Sequence, residues 1–195
     1  MRSPHLIALC LLLAACRIEK VKSGDTARGG VEPGPGIPAC GIVPQSRVSE
    51  DGLGLIRIGV SLDAIRGSCA VLAEHSGSDT TPATAQIDLG RDTALVELEQ
   101  GSIRRITLFH QAYRTSDSLG VGTHIGRLTR LRETVGLTER NRLYAISPDY
   151  CGLRFMLMEP APALPTAQAG RVAVRRLSGE TRTRELEIVG CQRGR

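Results

Sequence analysis

Ile58-Gly59-Val60-Ser61-Leu62-Asp63-Ala64-Ile65-Arg66 returns 63 residues later as Val121-Gly122-Thr123-His124-Ile125-Gly126-Arg127-Leu128-Thr129. Both segments read apolar-Gly-x-x-apolar-x-x-apolar. A Gly there ends an extended or loop segment, a Ser or Thr can cap a helix, and apolar residues three apart give that helix a buried stripe. The second helix is expected to continue through Leu131 and Val135, with Gly136 as a left-handed stop. The first is expected to be shorter, interrupted by Gly67.

Strand patterns follow each segment. After the first come Ala83–Leu89, Ala94–Glu99 and Ile103–Tyr113, the last two joined by the short loop Gln100-Gly101-Ser102. Ala94, Val96 and Leu98 alternate with Glu97 and Glu99, so this strand has one wet face. After the second come Arg142–Ser147, Leu153–Met158, Arg171–Arg176 and Arg184–Val189. Pro160, Pro162 and Pro165 interrupt the chain among them, and Leu177-Ser178-Gly179-Glu180 reads as a turn joining the last pair into a hairpin. Helix, three strands, helix, four strands implies an α+β domain with a mostly antiparallel sheet. The expectation is one compact domain over 40–195, built from two related helix-plus-strand units at about 40–113 and 114–195.

This duplicated plan resembles the tandem fold of the beta-lactamase inhibitory protein family. Its single-unit relatives are small outer-membrane lipoproteins of the barrel-assembly machinery. The segment RTSDSLGVGTHIGRLTRLRETVG, Arg114 to Gly136, is also similar to a stretch found in many bacterial envelope lipoproteins. The inhibitor family works through aromatic contacts across its sheet. Here aromatics make up only 3% of the chain and Trp is absent, so that role is not carried over. The same scarcity argues against a sugar-stacking cleft or a single-stranded nucleic-acid platform.

Ahead of the domain, Met1–His5 is a short segment with one Arg and Leu6–Ala15 is almost wholly apolar, the pattern of an export signal spanning 1–15. The apolar run is about half the ~20 residues a membrane span needs. Leu13-Ala14-Ala15-Cys16 resembles the lipobox of bacterial lipoproteins, which implies cleavage before Cys16 and lipid on its thiol and amine. Such multiple acylation exceeds the two-signal threshold for stable anchoring. In proteobacterial lipoproteins an Asp after the Cys retains the protein in the inner membrane; Arg17 stands there, which implies the outer membrane, facing the periplasm. Residues 16–39 hold five Gly and three Pro with no apolar period and read as a flexible tether.

Of the six Cys, Cys10 leaves with the signal and Cys16 carries lipid, so Cys40, Cys69, Cys151 and Cys191 are left for an oxidising compartment. Four Cys allow three connectivities. The local pairing Cys40–Cys69 and Cys151–Cys191 is expected, since each closes a loop of about 30–40 residues and contributes about 3–4 kcal/mol on a chain-entropy account. Neither C-x-x-C nor Cys beside His occurs, so no metal or thiol-catalytic role is assigned.

The run Gly120-Val121-Gly122-Thr123-His124-Ile125-Gly126 has the spacing of a phosphate cradle, but a dinucleotide site also needs a parallel β-α-β unit, which is missing, and an acidic residue about 20 residues on, where Glu139 sits at the expected start of a strand. His75, His110 and His124 fall into no metal-ligand spacing. His110 with Asp117 and Ser118, or His75 with Ser76 and Asp79, could only be imagined as triads, without a G-x-S-x-G signature. The chain is therefore expected to be a non-enzymatic module without a cofactor. The alternatives are an inhibitor-like binder of a secreted hydrolase and a periplasmic hydrolase.

The net charge of +5 is uneven: residues 171–195 hold seven Arg against three acids. Arg171, Arg175, Arg176, Arg182 and Arg184 form a possible basic face toward anionic headgroups or an acidic partner. The expected partners are the membrane, through Cys16, and another envelope component. Nucleic acid is disfavoured by the compartment.

Overall fold

Gly59 and Gly122 adopt the same left-handed backbone, with φ of 84° and 83°. Each turns the chain into a one-turn helix, α1 at Leu62–Ile65 and α2 at Ile125–Leu128. Ser61 caps α1, its hydroxyl accepting from the amide of Asp63. At α2 the cap position is His124, which makes no such side-chain bond. Little stands near a Cβ at either glycine, so the backbone angle and not space selects Gly. Gly59→Ala and Gly122→Ala should each cost about 1–2 kcal/mol, read as a lower urea midpoint, because an L-residue crowds its own carbonyl in that conformation.

The computed structural model describes residues 39–158, 174 and 177–191. The expected signal, Cys16, the tether up to residue 38, and Arg171, Arg175 and Arg176 lie outside the described residues.

Among the described residues, four strands follow each helix. After α1 come β3 (Val71–His75), β4 (Ala83–Asp88), β5 (Thr93–Glu99) and β6 (Ser102–Leu108); after α2 come β7 (Val135–Glu139), β8 (Arg142–Ile146), β9 (Leu153–Met158) and β10 (Glu185–Ile188). They form one antiparallel sheet ordered β3-β4-β5-β6-β10-β9-β8-β7, so the last strand of each set pairs at the middle. A small hairpin, β1 (Gly52–Leu53) with β2 (Ile56–Arg57), stands apart from it. Each helix entry is tied in the same way to the start of the last strand of its own set or to the residues just before it. Gly59 N–H donates to Ile103 and Leu62 N–H to Gly101; Gly122 N–H donates to Thr183 and Ile125 N–H to Thr181.

One face of the sheet carries the core. Ala85, Ile87, Ala94, Val96, Ile106, Leu108, Phe155, Leu186 and Ile188 are buried there, joined by Leu62 and Ile65 of α1 and Ile125 and Leu128 of α2. A fully buried side chain of this kind contributes about 1.5–3 kcal/mol. The period of two along the strands and of three in the helices thus meets in a single apolar cluster.

Several expectations need correction. The second helix does not reach Val135: Glu133 turns left-handed at φ 48°, and the Thr134 hydroxyl donates to the carbonyls of Leu128 and Leu131. Those bonds satisfy carbonyls that a longer helix would have used. Gly136 accordingly sits inside β7, opposite Ala145, and does not stop a helix. Glu139 ends that strand. β3 had no place in the sequence reading because it is an edge strand with Leu72 exposed and a bulge between Val71 and Ala73, which destroys clean alternation. The expected strand at Ile103–Tyr113 ends at Leu108. β10 has β6 and β9 on its two sides; the expected strand at Arg171–Arg176 lies, Val174 apart, outside the described residues.

Candidate functional site

The second face of the sheet holds the charged side chains that alternate with the core. Glu97 of β5, Arg105 of β6, Glu187 of β10, Arg154 of β9, Arg142 of β8 and Glu139 of β7 share this face through the strand registers. Arg105 stands at the centre, 3.2 Å from Glu187, 3.1 Å from Glu139 and 3.6 Å from Glu97. Arg154 closes on Glu139, Arg142 reaches Glu185 at 2.9 Å and Glu187 at 3.9 Å, and Arg140 reaches Glu97 at 3.0 Å. Members come from both sets of strands and bridge the β6–β10 seam.

Glu187 is only 2% exposed, and the Tyr144 hydroxyl donates to its Oε1 at 2.9 Å. Burial raises this carboxyl above its usual range, against the pull of Arg105, the Tyr144 hydroxyl, Arg154 and Arg142. Glu139 goes the other way: burial opposes its ionisation, but Arg154 and Arg105 together hold it low. Burial, then the Glu187 charge, pushes the Tyr144 phenol up to about 12. Each charge is matched, so the network presents a satisfied polar surface with little net charge.

Beside it Leu95 and Phe109 are exposed at 36% and 41%. They border a depression of about 300 Å³ that Arg105, Arg142, Tyr144 and Glu185 also line. Large apolar side chains at the rim of a satisfied charge network suit contact with another surface. Another depression, about 800 Å³, is lined by Val135, Leu137, Ile146, Val189 and Arg154 among others. Its two hydroxyls, Thr134 and Ser147, donate to backbone carbonyls, so it offers no free nucleophile among the described residues.

The residues singled out in the sequence are scattered. His110 accepts from the backbone amide of Ala112, and its ring meets Tyr113 edge-on. Asp117 accepts from the Tyr150 hydroxyl, and the Ser118 carbonyl accepts from Arg114. No hydrogen bond among the described residues links His110 to Asp117 or Ser118. His75 ends the edge strand β3, and His124 bridges through its backbone to Arg182. Arg182 and Arg184 are exposed, and the Arg184 amide donates to Met156. The cysteines pair as Cys40–Cys69 and Cys151–Cys191, with Cα atoms 4.5 Å and 5.1 Å apart. The central network was not singled out in the sequence. Part of its signal was there, in charged residues alternating with apolar ones in Glu185–Ile188.

No protein-family model matches the chain, and no curated protein does. Among solved structures, one covers 73% of this chain and 99% of its own length, with a TM-score of 0.50 at 12% identity. The fold is similar to that of the uncharacterized protein yfeY from Escherichia coli. At this identity the likeness to yfeY concerns the fold alone. It is consistent with the antiparallel, mostly sheet architecture and carries no chemistry across from yfeY.

Proposed function

We propose that the chain is a lipid-anchored protein of the bacterial cell envelope, attached through Cys16 to the outer membrane and facing the periplasm. It acts as a binding or scaffolding module for another envelope component and not as a catalyst. We further read the two helix-plus-four-strand sets as related units, because Gly59 and Gly122, the two helices and their hydrogen bonds to the chain entering β6 and β10 repeat one another. The observation that carries the reading is the second sheet face: its charges are already paired, its phenol is held protonated, and Leu95 and Phe109 stand exposed beside them. Groups so committed suit recognition better than proton transfer, which needs a group poised near the working pH. No helix among the described residues is long and apolar enough to cross a membrane, and the lipobox at Cys16 supplies an anchor instead.

Cys16→Ser should move the protein from the membrane fraction to the soluble one and abolish incorporation of labelled fatty acid. Retention in the membrane fraction with label intact would overturn the anchor. For the face, a photo-crosslinking residue at Leu95 or Phe109 should give one discrete adduct in cells. The same residue at Val43, exposed at 40%, serves as the control. Equal yields at all three positions, or none, would defeat the assignment of the sheet face.

A further inference from the structure

The four paired cysteines are not equivalent. Cys40 is 0% and Cys69 3% exposed, whereas Cys151 lies at the surface and Cys191 is half-buried. Against the second pair stands Glu50, distant in sequence from both. Its Oε2 lies 3.1 Å from Cys191 Sγ and 3.5 Å from Cys151 Sγ, and its Oε1 accepts from the Cys151 amide at 3.2 Å. A disulfide sulfur carries no hydrogen, so the oxidised pair offers this carboxylate oxygen no donor. Nor does Glu50 make an ion pair among the described residues, in a chain with 25 Lys and Arg. While the bond is intact, the Cys151 amide accounts for Oε1, but the place of Oε2 between the two sulfurs has no hydrogen-bonding reason among the described residues.

A reason appears once the bond is open. We propose that Glu50, Cys151 and Cys191 form a site for a borderline-soft divalent cation such as Zn²⁺, closed while the disulfide is intact and opened by a dithiol reductant. One ligand atom from each residue lies within 4.8 Å of the others. In a tetrahedral zinc site, sulfur at about 2.3 Å and oxygen at about 2.0–2.2 Å from the ion stand roughly 3.5 Å apart, as the Glu50 oxygen and the sulfurs already do. Only the two sulfurs need to part. A depression of about 660 Å³, lined by Glu50, Asp51, Ser116, Tyr150 and Cys191, leads to the site and leaves room for water in the fourth position. The backbone supports the approach as well: a Cβ at Gly152 would stand 2.1 Å from the Glu50 carbonyl oxygen, so glycine lets this turn lie against Glu50.

The chemistry balances. A dithiol gives two electrons and two protons to the Cys151–Cys191 bond, yielding two thiols and the oxidised, cyclic dithiol. Zn²⁺ then displaces one proton from each thiol and takes the Glu50 carboxylate as its third ligand. Exchange with an oxidised, cyclic dithiol takes the two electrons back: the protein disulfide re-forms, the ion is released, and the dithiol takes up two protons from water. The buried Cys40–Cys69 pair stays closed under reduction mild enough to open the exposed one. The site is independent of the lipid anchor and of the charged sheet face.

The test uses the full-length chain in detergent, reduced briefly with a neutral phosphine, then freed of reductant under argon. Mass mapping first establishes that Cys151 and Cys191 are thiols and Cys40–Cys69 is intact. Co²⁺ is then titrated as the spectroscopic probe, and Zn²⁺ as its competitor. Expected are a thiolate-to-cobalt band saturating at one ion per chain, its loss on adding Zn²⁺, and no band in the oxidised chain. Glu50→Gln keeps an acceptor for the Cys151 amide, so it keeps the fold; it should weaken Zn²⁺ binding at least ~10-fold, since even partners one bond removed from a metal cost 10–100-fold. The absence of a band in the reduced chain, an equal band in the oxidised chain, or unchanged affinity in Glu50→Gln would each overturn the site.

Discussion

Arg105→Ala should be the most damaging single change on the charged face, lowering stability by about 3–5 kcal/mol at neutral pH. Arg105 is itself largely hidden and touches Glu187, Glu139 and Glu97. Its removal leaves Glu187, 2% exposed, short of its nearest cation. Most of the loss comes from that stranded charge and not from the bond as such, so neutralising the partner should restore part of it. A double-mutant cycle of Arg105→Ala with Glu187→Gln is expected to return a coupling of about 1–3 kcal/mol in urea unfolding. Additivity within about 0.5 kcal/mol would mean that the two side chains do not act together.

The pH dependence supplies a second reading of the same variant. Glu187 has a folded pKa above its unfolded one, so its ionisation opposes folding: the penalty is absent in acid and is complete above the folded value. Glu139 has a folded pKa below its unfolded one. Its stabilisation is present above the unfolded value and is lost as pH falls through the folded value. Removing Arg105 raises both folded values, which enlarges the penalty and shrinks the gain at neutral pH. Acid erases both differences. The deficit of Arg105→Ala should therefore narrow as pH falls from 7 through the carboxylate range; a constant deficit would place its cause in lost packing.

The same residues mark what could be read from the sequence and what could not. Alternation of Ala94 and Val96 with Glu97 revealed β5 and its wet face, since a strand's period is local. The repeated Gly59 and Gly122 segments revealed two helix starts because a left-handed glycine and a three-residue apolar spacing are local too. Where α2 ends was hidden, because Thr134 caps carbonyls three and six residues back and thereby diverts Val135 and Gly136 into a strand. The arginine network was hidden for a different reason. Arg105 and Glu187 are 82 residues apart, and only the pairing of β6 with β10, which sets Glu187 opposite Thr107, brings them within reach on one face. Glu50 and Cys191 meet over a separation of 141 residues. Neither spacing carries any periodic trace.

Replacing Cys40 and Cys69 together with Ala should cost about 3–4 kcal/mol, the closure entropy of their 29-residue separation. Opening Cys151–Cys191, with a separation of 40, frees a comparable entropy on that account. The first loss should nonetheless be the larger, because Cys40 and Cys69 also belong to the apolar core. The Cys40 amide donates to Ser68 and its carbonyl accepts from Leu55, so this point of the chain is fastened to the turn after α1 and to the small hairpin. On the proposed tethered arrangement, Cys40 is also where any pull from the lipid at Cys16 enters the fold. A covalent bond from there to Cys69 passes that pull into the core instead of peeling the chain from its end. Urea unfolding of the oxidised chain, of the Cys40→Ala/Cys69→Ala variant and of the Cys151→Ala/Cys191→Ala variant separates the terms. A loss below about 1 kcal/mol for the first pair would mean that the core holds the domain's entry point without the bond, whereas a loss above that of the second pair would place the domain's main staple where the tether joins it.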